Sequence, residues 1–70
     1  MNDYIYFTVM LNWSYSNKTD HKLIPGTIYH GSLTKVLHHH IPKGDIHILS
    51  NVDVLRRVYG NKEVCIELNE

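Results

Sequence analysis

Seventy residues with seven basic and seven acidic side chains, 43% hydrophobic and 20% charged, describe one small domain of ordinary globular composition. That balance excludes an intrinsically disordered chain. It also argues against nucleic acid as the main partner, because such affinity comes largely from phosphate neutralisation and needs a positive excess.

No run approaches the ~18–20 apolar residues of a membrane-spanning helix. A chain this short buries only about 60% of its unfolded surface. Below roughly 80 residues, folded chains usually add disulfides, a structural metal or a partner. The single cysteine, Cys65, closes no internal disulfide. A net charge near zero removes the self-repulsion that opposes association. We therefore expect a homo-oligomer, most simply a dimer. The lone cysteine and the uncharged-to-acidic opening Met1-Asn2-Asp3 lead us to expect a reducing cytoplasm and no signal peptide.

Alanine and glutamine are absent. Without the strongest helix former, helices should be short and held by packing. Ile, Asn, Lys and Tyr are abundant; their A/T-rich codons fit a low-GC genome such as that of a phage or plasmid.

From Tyr4 to Tyr15 the odd positions are Ile5, Phe7, Val9, Leu11, Trp13 and Tyr15, which predicts one long half-buried strand. Its other face is only half polar, since Tyr4, Tyr6 and Met10 lie on it. Ser16 to His21 is a polar turn cluster. Lys22 to His30 reads as a bent edge strand or two short pieces, not a central strand, with Pro25-Gly26 in a type II turn.

Ser32 is placed to cap a helix carrying Leu33, Val36, Leu37 and Ile41, ended by Pro42 and Gly44. Asp45 to Leu49 suits an inner strand. Ser50-Asn51-Val52-Asp53 has capping-box spacing, followed by a helical face of Val54, Leu55, Val58 and Tyr59 and a stop at Gly60. Glu63 to Asn69 alternates, with Val64, Ile66 and Leu68 inward and a charged outer side that suits a guarded edge. The sequence thus predicts a single α+β domain over residues 1–70. Its mixed or antiparallel sheet has about four strands in the order β-β-α-β-α-β, with two short helices on one face.

Six histidines stand at positions 21, 30, 38, 39, 40 and 47. A His-cluster metal protein is one reading of them. Yet successive helical side chains point about 100° apart, so His38, His39 and His40 fan out and do not converge on one ion. The expected arrangement has His40 half-joining the apolar helix face while His38 and His39 are solvated, with no metal or other cofactor bound. Six imidazoles would also carry the chain from about zero to about +6 between pH 8 and pH 5, and association should change across that window. Cys65 shares its face with Glu63 and Glu67, whose carboxylates oppose thiolate formation, so a cysteine nucleophile is not expected.

Ile28-Tyr29-His30-Gly31-Ser32 resembles the Tyr-His-Gly-Ser/Thr strand end of the ADP-ribosyltransferases. The resemblance implies an NAD-binding protein in which His30 contacts the nicotinamide ribose. It covers these five residues and places no catalytic glutamate.

Tyr, Trp and Arg are the residue types enriched at binding hot spots. Phe7, Trp13 and Tyr15 are accounted for as core, but Tyr4, Tyr6 and Met10 are not, because so short a chain has little material to cover a second face. The reading is a small non-enzymatic protein-binding module, expected to be a phage- or plasmid-encoded stoichiometric inhibitor of a host protein, of an anti-defence or antitoxin-like kind. Its contact residues are Tyr4, Tyr6, Thr8, Met10, Arg56 and Arg57, acting through the first strand's edge or its tyrosine side.

Overall fold

The computed structural model describes residues 3–15, 21–60 and 63–68. In chain order the elements are β1 (Tyr4–Val9), β2 (Trp13–Tyr15), β3 (His21–Leu23), β4 (Thr27–Ser32), α1 (Leu33–His38), a 3-10 turn (Lys43–Asp45), β5 (Ile46–Leu49), α2 (Asn51–Tyr59) and β6 (Val64–Glu67). The main sheet has the order β5-β1-β4-β6, and β2 pairs with β3 in a separate ribbon. This is the small α+β architecture expected. The polar turn expected at Ser16 to His21 falls, for residues 16–20, outside the described residues.

The long alternating segment is two strands. After Val9 the backbone N–H groups of Met10 and Leu11 donate to Asp45 Oδ2 at 3.2 and 3.1 Å, and Trp13 Nε1 donates to the same oxygen at 2.5 Å. One carboxylate, 32 or more residues away in sequence, turns the chain out of the sheet. These hydrogen bonds hold the Asp45 carboxyl below its usual pKa, the Trp13 donor first among them. Alternation breaks at the bend, where Met10, Leu11 and Asn12 are all exposed although Leu11 was expected inward, and it resumes in β2, where Tyr15 is buried. Tyr15 and Leu23 of the ribbon are fully buried with Phe7, Val9 and Tyr29 of the sheet. Tyr29 fastens the two together: its hydroxyl accepts from Ile24 N–H at 2.9 Å and donates to the Lys22 carbonyl at 3.2 Å. Pro25-Gly26 makes the intervening turn, with Gly26 at φ +86°, so two short pieces form. The second, β4, lies between β1 and β6 and not at an edge as expected, because the proline stands in the turn before it.

The sheet is covered on both faces, which corrects the expectation of helices on one face. β4 and β5 both run antiparallel to β1, so they are parallel to each other, and β6 is parallel to β4. One connection, through α1, therefore crosses the sheet in one direction, and the other, through α2, crosses back. Right-handed crossovers of opposite direction put their helices on opposite faces. Burial agrees. Ile28 and Tyr29 are neighbours on β4 and point to opposite sides, yet they are 0% and 1% exposed. Val36 of α1 packs with Phe7 and Tyr29, whereas Val54 and Leu55 of α2 lie with Tyr6.

Both helices begin on a serine. Ser32 Oγ accepts from Lys35 N–H at 3.4 Å, and Ser50 Oγ accepts from Asp53 N–H at 3.2 Å. Asp3 reinforces the first start, accepting from Thr34 N–H at 2.9 Å, Thr34 Oγ1 at 2.5 Å and Ser32 Oγ at 2.8 Å. The Thr34 hydroxyl, the Thr34 N–H and the Ser32 hydroxyl, in that order, hold its pKa at about 2. α1 ends at His38, earlier than its apolar spacing implied, because His40 takes φ +62°. Ile41 is buried beyond the helix end.

Candidate functional site

The face beneath α2 is built from alternate residues of four strands. β1 supplies Tyr4, Tyr6 and Thr8. Register sets His30 of β4 opposite Tyr6, Glu67 of β6 opposite His30, and Leu49 of β5 on the other side of Tyr6. The His30 ring stacks on Tyr6 with centroids 4.2 Å apart and planes 18° from parallel, and Tyr4 meets it edge-on at 5.5 Å. His30 Nδ1 lies 2.6 Å from Glu67 Oε2. A histidine that gives Nδ1–H to a carboxylate has its ring plane fixed, which leaves Nε2 as the other nitrogen. Beside this cluster a shallow cleft of about 220 Å³ is lined by Tyr6, Asn51, Val54 and Leu55.

The expected contact residues separate into groups. Tyr4 is exposed, while Tyr6 and Thr8 are half-buried on the same face. Met10 is exposed but stands past the end of β1, on the bend held by Asp45. Arg56 is exposed on α2, and Arg57 is committed to Glu63, with Nη1 to Oε1 at 2.9 Å. Binding through the edge of β1 is overturned: β1 lies inside the sheet, paired with β4 and β5 on its two sides. Among the described residues the edges of the sheet are β6 and β5, the latter expected from its apolar run to be an inner strand.

Helix α2 adds contact residues that periodicity assigned differently. Leu55 and Tyr59 were expected on its inner face with Val54 and Val58. In the structure Val54 is buried and Val58 half-buried, while Val52, Leu55 and Tyr59 are 57%, 50% and 79% exposed. Their i, i+3, i+7 spacing puts them on one stripe. An eight-residue window contains both stripes, and only the packing against the sheet decides which one turns inward.

The histidine run does fan out. His38 is exposed, His40 is exposed at its left-handed backbone position, and His39 is half-buried. His39, not His40, is the one that packs. Its ring lies 4.3 Å from that of Tyr15, and its Nδ1 is 2.7 Å from the Lys35 carbonyl oxygen. Among the described residues no three His, Cys, Asp or Glu side chains are grouped to hold a metal ion. Cys65 is exposed, and the packing around its sulfur, then the Glu67 charge, push its pKa up, which disfavours a thiolate.

The Tyr-His-Gly-Ser string has structural work at each position. Tyr29 is core, Ser32 is a helix cap, and at Gly31 an added Cβ would stand 3.1 Å from Leu68 Cβ and Cδ1. Leu68 N–H donates to the His30 carbonyl at 2.9 Å, so β6 closes tightly over that glycine. Among the described residues no helix is long and apolar enough to cross a membrane. Compared with known proteins, the chain matches no family model, no curated protein and no solved structure.

Proposed function

We propose that the protein is a small non-enzymatic binding module that recognises another protein with its α2 face. The observation that carries this reading is the stripe of Val52, Leu55 and Tyr59, exposed along a nine-residue helix and continued by the cleft at Tyr6 and by the exposed ring of Tyr4. An i, i+3, i+7 stripe is the pattern by which a helix seats itself in an apolar groove. Large side chains left in water at that spacing are better explained by a partner than by folding. Arg56 lies on the same helix and suits the rim of such a contact.

The module acts by occupancy, with one copy covering one partner. An inhibitor carried by a phage or plasmid is the form of this reading that the A/T-rich-codon composition favours. One further observation favours an alternative: the Glu67 carboxylate beside His30 is the kind of neighbour an NAD site would need. Under that alternative NAD raises the melting temperature of the wild type and not of His30→Ala.

Site-specific photo-cross-linking tests the binding reading. A photoreactive residue at Tyr59 or Leu55 should give a discrete adduct with a protein from a host lysate, and one at Lys35, on α1, should not. Adducts that are the same from both helices overturn it.

A further inference from the structure

The two edges of the main sheet differ in chemistry. An edge strand presents a row of backbone N–H and C=O groups that another strand can pair with, and proteins usually guard such edges with charge. β6 is guarded. It carries Glu67, and Glu63 immediately precedes it. Pairing β6 with a copy of itself around Cys65 would set Glu63 against Glu67 twice.

β5 is less guarded. Ile46-His47-Ile48-Leu49 contains no Asp, Glu, Lys or Arg, and Asp45, which immediately precedes it, gives its carboxylate to Met10, Leu11 and Trp13. Ile48 is 56% exposed although it faces the core side of the sheet opposite Phe7. Both flanking connections lead away from this edge. α1 arrives from β4, and α2 departs toward β6.

We propose that two copies of this chain join through β5, antiparallel and edge to edge, to make one continuous eight-stranded sheet with Ile48 beside its two-fold axis. The partner is a second copy because the edge is self-complementary. A two-fold axis normal to the sheet keeps each face on its own side, so opposed residue numbers must sum to an even value. Centring on Ile48 pairs it with its symmetry mate at a Cβ separation of about 4.5–5.5 Å, and pairs His47 with Leu49 on the other face. Centring on His47 instead would oppose two imidazoles. It would also crowd the end of β5 that Asp45 ties to Met10, Leu11 and Trp13. The interface uses a four-residue strand. It is therefore small against the ~1,600 Å² of a standard interface, and the dimer is weak and concentration-dependent.

Sedimentation equilibrium under reducing conditions, on the full chain from micromolar to near-millimolar concentration, tests this directly. The wild type should rise from one chain mass toward two, and Ile48→Lys should remain at one while keeping the wild-type far-ultraviolet circular dichroism. Ile48→Cys in a Cys65→Ser background should then form an intermolecular disulfide on mild oxidation, and Val64→Cys in the same background should not. A wild type that is monomeric throughout overturns the proposal and leaves the edge to a foreign strand. So does a dimer that survives Ile48→Lys, or equal cross-linking at positions 48 and 64. None of these results depends on the α2 face, so the proposal stands or falls apart from the binding reading above.

Discussion

The two faces of this sheet start from the same strands and end differently. On the α1 side, Phe7, Val9 and Tyr29 meet Val36, Ile41, Tyr15, Leu23 and Leu68, and all of them are buried. On the α2 side, Ile28 and Val54 are buried, but the strand positions around them hold Tyr6, His30 and Glu67, and the helix turns Leu55 and Tyr59 to water. The first face gains a helix, a ribbon and Leu68, just past β6, as cover. The second has one helix of nine residues to span two strands. The first face leaves Ile48 and Val64 exposed at its flanks, whereas the second is short of cover over its centre, and function is the use we assign to that shortage.

The largest expected difference between the faces is at Phe7. Phe7→Ala should cost about 3–5 kcal/mol, comparable with the whole stability of a chain this size at roughly 0.05–0.15 kcal/mol per residue, and urea unfolding would show a lost or nearly lost native baseline. Tyr29→Phe tests the fastening of ribbon to sheet without changing core volume. It leaves the Lys22 carbonyl and Ile24 N–H without their hydroxyl partner and should cost about 1–3 kcal/mol. Ser50→Ala, which removes the α2 cap, should cost about 1 kcal/mol.

A smaller effect is expected at Asp3. Its folded pKa of about 2 lies below its ordinary 3.8. The stabilisation is therefore fully present above pH 3.8 and is lost as pH falls toward 2. The unfolding midpoint of the wild type should drop through that window more steeply than that of Asp3→Asn. Least affected of all should be the α2 stripe. Leu55→Ser with Tyr59→Ser should change stability by no more than about 0.5 kcal/mol per site while removing the adduct formed by a photoreactive residue at Val52, the third position of the stripe.

These differences follow the range over which each interaction acts. The serine caps, the Pro25-Gly26 turn and the parity of Ile5, Phe7 and Val9 are set by neighbouring residues, and all were legible in the sequence. The split of the first strand was not, because it depends on Asp45 reaching back 32 to 35 residues to Trp13, Leu11 and Met10. The placement of α2 was missed for a related reason. Which face a helix covers depends on strand order, and here β1 lies between β5 and β4, which no local pattern encodes. Of the proposed contact residues, Tyr4 and Tyr6 were visible as aromatics on the unexpected side of a strand. His30 and Glu67 become partners only through the parallel register of β4 with β6.

Phe7 and Tyr6 are adjacent in the chain and point to opposite sides of one strand, so they compare the faces with the least confounding. Urea unfolding of Phe7→Ala and Tyr6→Ala should give unequal losses. The first should be about 3–5 kcal/mol, and the second should not exceed half of that, since it forfeits a half-buried ring and one stacking contact worth about 0.5–1.5 kcal/mol. Equal losses, or a larger loss at Tyr6, would contradict an unequally covered sheet.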